Sequence, residues 1–87
     1  MAEEKIGIIE HFFTNINVAA IKITAGELHV GDTIRIIGAT TDFSQKVDRM
    51  EIDRKPVEIA KSGDAIGIKV TERAREHDLV YKVPEGE

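Results

Sequence analysis

The first residues whose spacing could do chemistry are two glycines in the segment AKSGDAIGIKV, residues 60–70. Glycine-rich loops can cradle a nucleotide phosphate, because their backbone amides approach the anion without hindrance from a side chain. Such a loop follows a strand and opens a helix, whereas here the glycine turn precedes the alternating pattern of Ile66, Ile68 and Val70. The patterns Gly-x4-Gly-Lys-Ser/Thr and Gly-x-Gly-x-x-Gly are both absent. We therefore predict a turn that leads into a strand, and no nucleotide site.

The other side chains capable of catalysis or metal binding do not form a recognisable set. The three histidines are far apart in the chain and lack the short spacings of metal ligands: His11, His29 and His77. Three aspartates stand where predicted strands begin, a position at which Asp accepts hydrogen bonds from turn amides: Asp32, Asp64 and Asp78. Cysteine is absent, which excludes a thiolate nucleophile, a cysteine zinc site and a disulfide. We predict no enzymatic activity, no cofactor and no metal.

A Gly-Asp pattern occurs twice, in residues 30–34 and 62–66, and a strand pattern follows each copy. Residues 76–80 repeat it with His77 in place of the glycine. Glycine at this position suits a backbone angle that a Cβ atom would hinder. The pattern predicts three similar turns, each leading into a strand.

The composition predicts a β domain, because Ile and Val together number 20 while Leu numbers only 2. Branching at Cβ restricts a side chain in a helix and suits a pleated sheet. Alternating apolar residues and turn signals divide the chain into six short strands: residues 5–13, 17–23, 33–37, 45–52, 64–70 and 79–83. Residues 38–44 form a predicted loop, and the apolar spacing from Val47 to Met50 indicates a β-bulge in the strand that follows.

Helical patterns long enough for βαβ units do not separate these strands, which favours an antiparallel barrel or sandwich. Closing such a sheet into a barrel removes its exposed edges. We predict one all-β domain, a small closed antiparallel β-barrel of six to seven strands over residues 5–83. A flexible acidic N-terminus at residues 1–4 and a flexible tail at residues 84–87 flank it.

The charge balance does not select a partner. The formal net charge is −4, but four of the 16 acidic residues lie near the ends of the chain, so the body is neutral: Glu3, Glu4, Glu85 and Glu87. A neutral body permits a positive face without demonstrating one. The acidic start is unlike a secretory signal, and no apolar run approaches the ~20 residues of a membrane span. We expect a soluble, cytoplasmic protein.

The candidate contact residues lie in the middle of the chain. The best basic cluster is interleaved with acidic residues and comprises Lys46, Arg49, Arg54 and Lys55. This arrangement is typical of a solvated strand face, and it also suits contacts to RNA phosphates or to the ribosome. Further cations extend the cluster if the fold brings them close: Arg35, Lys69, Arg73 and Arg75.

Three phenylalanines complete the candidate surface. Phe43, in the polar segment TTDFS, either closes one end of the barrel or presents its ring to a base or a protein. Phe12 and Phe13 are consecutive, so on a strand one faces the core and the other is available to a partner. We select Phe43, with the four clustered cations, as RNA- or partner-binding residues.

Several of these segments together resemble a known domain. Gly-Asp-x-Ile, Lys46-Val47, Val57 and AKSGDAIGIKV are similar to the second domain of EF-Tu-type translation GTPases, a β-barrel that follows the nucleotide-binding domain. GATTDF and DLVYKV resemble the C-terminal barrel of a collagenase-like peptidase family linked to RNA modification, and also stand-alone elongation factor-like proteins. The resemblance covers about residues 5–83.

In EF-Tu-type factors this barrel helps to hold the aminoacyl end of tRNA and contacts the ribosome. The 87 residues include no GTPase domain, so GTP hydrolysis is not implied. The resemblance implies a non-catalytic module that contacts tRNA, rRNA or a ribosomal protein. The alternative hypothesis is an accessory barrel that docks on an RNA-modifying or peptidase-like enzyme.

Overall fold

The computed structural model describes residues 3–84, and all regular secondary structure in that range is β-strand. The ten strands are β1 (Glu4–Phe13), β2 (Val18–Ile23), β3 (Glu27–His29), β4 (Thr33–Ile37), β5 (Asp42–Lys46), β6 (Met50–Ile52), β7 (Lys55–Val57), β8 (Ile59–Lys61), β9 (Ala65–Lys69) and β10 (Leu79–Val83). Eight strands form one antiparallel sheet in the order β5-β4-β10-β1-β2-β9-β6-β7, and β3 pairs with β8 in a separate ribbon. The prediction of an all-β fold is confirmed.

The two ends of the chain lie partly outside the described range. Of the predicted flexible segments, residues 1, 2 and 85–87 are not described. Glu4 is the first residue of β1 and pairs with Lys82 of β10. No helix among residues 3–84 has the length and apolar character needed to span a bilayer.

The main sheet curls around a core that is largely isoleucine and valine. Period-two alternation turns one side of each strand inward, so that Ile21 and Ile23 of β2 and Ile34 and Ile36 of β4 are fully buried. Burying one such side chain contributes about 1.5–3 kcal/mol. The intervening residues of the same strands face outward, and they supply the surface on which a partner could bind.

The predicted closed barrel of six to seven strands is wrong, because the eight-stranded sheet forms a curled half-barrel. Among the described residues, β5 pairs with β4 alone, and the line between β5 and β9 is bridged by the side chain of Gln45. Its Nε2 donates to the Lys69 carbonyl oxygen at 3.0 Å, and its Oε1 accepts from the Thr71 amide at 2.8 Å. One primary amide thus replaces part of a backbone ladder. We call this line the seam.

Replacing Gln45 with glutamate is expected to lower the free energy of unfolding by about 1–2 kcal/mol near neutral pH. A carboxylate cannot donate to the Lys69 carbonyl, and it places negative charge against that oxygen. Urea denaturation of both proteins measures the difference. Below the pKa of the introduced carboxyl group its proton can restore the donor, so the difference should shrink in acid. A difference that stays constant with pH would contradict the bridging role.

The predicted bounds of the loop at residues 38–44 and of the strand at residues 45–52 are also wrong, although residues 38–41 do form a turn and residues 45, 46 and 50–52 do lie in strands. The chain turns tightly after β4, where the Gly38 amide donates to the Thr41 carbonyl oxygen at 2.7 Å, so β5 already begins at Asp42. Strand β5 pairs with β4, whereas β6 pairs with β7 and β9. Val47 and Met50 are both fully buried. Their spacing marks a crossing between two parts of the sheet and not a bulge within one strand.

The early start of β5 creates an ion pair across the β4–β5 hairpin. Arg35 donates to both oxygens of Asp42, with Nε–Oδ1 at 2.9 Å and Nη2–Oδ2 at 3.0 Å. These hydrogen bonds, together with the charge of Arg35, hold the pKa of Asp42 below its ordinary value. A carboxyl group with a lowered folded-state pKa stabilises the fold above its unfolded pKa of about 3.9 and loses that effect as the pH falls further.

We therefore expect wild type to be more stable than the Asp42→Asn variant near neutral pH, by a margin that disappears in acid. The margin should be constant above about pH 5 and decline as the pH falls through the lowered pKa of Asp42. Urea denaturation between neutral pH and about pH 2 measures it. The exposed Asp48, which has no ion pair among the described residues, provides the control variant Asp48→Asn. A margin that persists in acid would contradict the argument.

The three predicted turns share one geometry, at residues 29–32, 61–64 and 75–78. In each, the aspartate carboxylate accepts a hydrogen bond from the amide three residues earlier, at 2.8, 2.9 and 2.8 Å respectively. The residue before the aspartate has a positive φ in all three: 102° at Gly31, 99° at Gly63 and 74° at His77. The prediction that residues 60–70 form a turn leading into a strand is confirmed.

Replacing His77 with glycine is expected to raise the free energy of unfolding by about 0.5–1 kcal/mol, because glycine adopts positive φ without a Cβ penalty. Gly63→Ala makes the opposite change in the equivalent turn. No atom lies within 4 Å of a Cβ placed at Gly63, so the cost there is backbone strain alone. Urea denaturation should therefore show effects of opposite sign. A destabilised His77→Gly variant would show that the imidazole itself supports the fold.

Candidate functional site

A concave surface lies along the seam. It is a groove of about 700 Å³ that is open to solvent. We call it the seam groove, and it is lined by Asn17, Gln45, Lys46, Asp48, Arg49, Lys69, Val70 and Thr71. The groove therefore combines cations with amide and hydroxyl groups that can exchange hydrogen bonds with a polar ligand.

Strand alternation points the lysines of the groove outward. Lys46 and Lys69 are the last residues of β5 and β9, and each is followed by a buried valine, Val47 or Val70. Since successive side chains of a strand face opposite sides, the buried valines require the lysines to face solvent. Asn17 holds the end of the groove, because its carbonyl oxygen accepts from the Val70 amide at 2.8 Å.

The groove carries positive charge although the chain as a whole is acidic. Lys46, Arg49 and Lys69 face one carboxylate, Asp48. Arg49 also pairs with Glu51 at 2.9 Å, but its side chain is 68% exposed. Exposed pairs of this kind contribute only about 0–1 kcal/mol, so Arg49 can exchange this partner for a ligand anion at small cost.

The structure brings together only part of the predicted cluster. Lys46 and Arg49 line the seam groove. Arg54 lies at the turn between β6 and β7, and Lys55 is the exposed first residue of β7. Phe43 is only 7% exposed and belongs to the core, so its selection as a contact residue is corrected. On β5, the alternation that exposes Asp42 and Ser44 turns the ring inward.

The four additional cations are also dispersed. Lys69 joins the seam groove. Arg35 is occupied by Asp42, and it also approaches Glu3 with Nη1–Oε2 at 3.4 Å. Arg73 and Arg75 line a different cavity, together with Glu76. Sequence proximity therefore gave a poor guide to which cations share a surface.

A second concave surface lies between two hairpin turns. It is a depression of about 370 Å³, which we call the tip depression. Its lining residues are Phe13, Ile16, Val18, Ala20, Glu51, Asp53, Arg54, Ala65, Ile66 and Gly67. Phe13 and Ile16 are 45% and 58% exposed, whereas Phe12 packs against the core. The prediction that Phe12 and Phe13 face opposite sides is confirmed.

Two of the three histidines, His11 and His29, make exposed side-chain contacts. His11 Nδ1 is 2.9 Å from Glu76 Oε2, and His29 Nε2 is 3.2 Å from Glu27 Oε1. Within residues 3–84, no group of three His, Asp or Glu side chains is placed to hold a metal ion. Among the concave surfaces of residues 3–84, the seam groove combines cations with polar groups, and the tip depression exposes apolar side chains.

Comparison with known proteins identifies the domain. The family model of elongation factor Tu domain 2 matches residues 17–77. The chain belongs to this family. The matched segment contains every residue that lines the seam groove, from Asn17 to Thr71, whereas Phe13 of the tip depression lies before it.

Curated relatives carry this elongation factor Tu domain 2 sequence within longer proteins. An uncharacterized protease of Methanocaldococcus jannaschii is 42% identical over 82 residues, which are 93% of this chain and 20% of that protein. A collagenase of Porphyromonas gingivalis is 40% identical over 72 residues, which are 82% of this chain and 20% of the collagenase. The chain thus spans about a fifth of the length of these relatives.

Solved structures share the fold. Two structures of the C-terminal domain of a Geobacillus thermoleovorans protein assigned to the U32 peptidases superimpose on this chain. One, a selenomethionine variant, has a TM-score of 0.85 at 15% identity and covers 91% of this chain and 99% of the other. The second has a TM-score of 0.86 at 14% identity, with 93% of each chain covered. Both predicted resemblances, to the translation-factor domain and to the collagenase-like family, are confirmed.

Several residues that line the two surfaces of this elongation factor Tu domain 2 family member were not among those predicted from its sequence. Asn17 and Thr71 join the seam groove from turns that the sequence shows only as polar. Ile16 was a detectable signal, because it is an isoleucine inside the otherwise polar turn between Thr14 and Asn17. An apolar residue that a turn holds away from the core is available to a partner.

Proposed function

We propose that this chain is a non-catalytic binding module that holds tRNA or rRNA along the seam groove. The observation that carries the proposal is the convergence of Lys46, Arg49 and Lys69 in one groove beside Asn17 and Thr71. Lysine and arginine neutralise phosphates, and amide and hydroxyl groups hydrogen-bond to phosphate or sugar oxygens. Membership in a translation-factor domain family supports an RNA ligand and, with it, a cytoplasmic location.

Binding of the chain to fluorescein-labelled tRNA and to an unstructured RNA, followed by fluorescence anisotropy, tests this function. Three phosphate contacts to single-stranded RNA give a salt slope of about −2, so the affinity should fall roughly 20-fold between ~50 mM and ~200 mM salt. The absence of binding at ~50 mM salt would overturn the proposal. Binding that does not depend on salt would also overturn it, because the cations of the groove would then not be the contacts.

A second candidate function is an accessory barrel that docks on a collagenase-like or RNA-modifying enzyme. The observation in its favour is that the curated relatives contain the matched region as a fifth of a protein called a protease or a collagenase. In this role the chain itself performs no reaction and positions either the enzyme or its substrate. The two functions are compatible if they use different surfaces.

A further inference from the structure

The turn between β6 and β7 keeps an arginine in a conformation that suits glycine. Asp53 and Arg54 connect the paired residues Ile52 and Lys55, and their φ values are 53° and 66°. A two-residue hairpin with two positive φ angles favours Asn-Gly or Asp-Gly, since glycine has no Cβ to hinder the second position. Arginine at that position is strained, and strain that persists is a reason to look for function.

Arg54 stands beside two of the exposed large apolar side chains. It lines the tip depression together with Ile16 and Phe13, which are 58% and 45% exposed. The floor of the depression consists of small outward-facing residues, including Ala20 and Gly67, which pair across β2 and β9. Two hairpin turns therefore rise on either side of a low floor, a shape that can receive a side chain of a partner.

The charges around the tip depression favour a protein over RNA. Arg54 is accompanied there by two carboxylates, Glu51 and Asp53. A polyanion would be repelled by these carboxylates, whereas the seam groove offers three cations against Asp48. An apolar core with a rim of mixed charge is the usual composition of a protein–protein interface.

The relatives indicate which protein would dock on the tip depression. The chain matches only a fifth of each curated relative, so a much larger body accompanies the domain in those proteins. Two solved structures with this fold are C-terminal domains of a protein assigned to the U32 peptidases. A domain attached to a larger body typically shares an interface of roughly 600–1,500 Å² with it. Phe13 and Ile16 are the apolar side chains that this interface would cover.

We propose that the tip depression is the docking surface for the body of a collagenase-like protein, which inserts an apolar side chain between Phe13 and Ile16 and pairs a carboxylate with Arg54. The proposal rests on the second candidate function. A cleft lined by Val18, Arg49, Glu51, Gly67 and Lys69 connects the tip depression with the seam groove. RNA held in the groove would therefore lie against the edge of the docked body, next to a catalytic site that the body supplies.

Thiol labelling tests the docking surface, because the chain contains no native cysteine. Single variants Ile16→Cys and Ile59→Cys are prepared in this chain and in a chimera, the full-length Methanocaldococcus jannaschii relative with its matched 82 residues replaced by this chain. Ile59 is a matched control, since it is 45% exposed and lies on β8 of the separate ribbon. Peptide mass spectrometry after timed exposure to N-ethylmaleimide gives the labelling rate at each site.

We expect labelling at residue 16 to be at least about tenfold slower in the chimera than in this chain, with no change at residue 59, because an interface core excludes solvent. Slowing at residue 59 but not at residue 16 would overturn this surface and leave the accessory function standing. Unchanged rates at both sites would overturn the surface and the accessory function together. Equal slowing of labelling at both residues of the chimera would also overturn the surface. If an unstructured RNA slows labelling at residue 16 of this chain, the tip depression would instead be assigned to RNA.

Arg54→Gly distinguishes docking from a structural role. Relief of the positive φ should raise the urea midpoint of this chain. Loss of the guanidinium should nevertheless return labelling at residue 16 of the chimera toward its rate in this chain. A variant that is more stable and remains equally protected would overturn the pairing of Arg54 with the body. Neither the urea midpoint of this chain nor the labelling rate in the chimera depends on whether the seam groove binds RNA.

Discussion

Replacing Gly38 with alanine is expected to lower the free energy of unfolding by about 2–4 kcal/mol. A Cβ atom at this position would collide with the carboxylate of Asp78. Asp78 as a residue is 6% exposed, and its carboxylate accepts a hydrogen bond from the Arg75 amide at 2.8 Å, so the carboxylate cannot move without breaking the turn. Gly38 cannot retreat either, because its amide donates to the Thr41 carbonyl oxygen at 2.7 Å.

Urea denaturation measures this effect, and Gly31→Ala is the matched control. Gly31 has a φ of 102°, but no atom lies within 4 Å of the position that a Cβ would take there, so its replacement adds backbone strain without a collision. Its cost should be about 1–2 kcal/mol. In an Asp78→Ala background the Gly38→Ala change should cost at least about 1 kcal/mol less than in wild type. Additive effects would show that the carboxylate is not the obstacle.

Neutralising the seam groove is expected to weaken RNA binding by on the order of 10- to 100-fold at ~50 mM salt, while the salt slope flattens by about 2. The variant carries Lys46→Gln, Arg49→Gln and Lys69→Gln together. All three side chains are exposed, so the effect on stability should be small, within about 0.5 kcal/mol for each change. Fluorescence anisotropy with labelled tRNA measures both the affinity and its salt dependence.

The control removes the same charge elsewhere, through Lys61→Gln, Arg73→Gln and Arg75→Gln. These residues are also exposed, and the two arginines line a separate cavity with Glu76. If RNA is attracted by overall charge alone, both triple variants should weaken binding equally. If the seam groove is the contact, the control should retain its affinity within about threefold. Equal losses would therefore contradict the proposed site.

Much of the fold could be predicted from local pattern. Strands β4 and β10 have the bounds predicted, because alternating apolar residues end there at clear turn signals. The three turns followed from the placement of Gly31, Gly63 and their aspartates. In these segments the residues that specify the conformation are neighbours in the sequence, so no knowledge of distant contacts was needed.

The region from Gly38 to Ile52 could not be predicted in this way. Asp42 and Ser44 read as loop residues, yet the pairing of β5 with β4 and the burial of Phe43 make this segment a strand. Tertiary contacts overrode local propensity. The set of cations that share the seam groove could not be predicted for a related reason, because Lys46 and Lys69 meet only when β5 and β9 approach across the seam. Sequence spacing contains no record of that approach.

The bridge that Gln45 makes at the seam has a mechanical consequence. From β5 to β9 along the strand order, neighbouring strands are joined by four or more backbone pairs, but here a single amide spans the gap to Lys69 and Thr71. Lys46 and Arg49 lie on one side of the seam, and Lys69 lies on the other side. A displacement that stretches only the hydrogen bonds of Gln45 would separate the two sides of the seam groove. The backbone hydrogen bonds between paired strands would stay intact. We therefore expect the seam groove to widen more easily across the seam than along its strands, which would make room for the proposed RNA ligand.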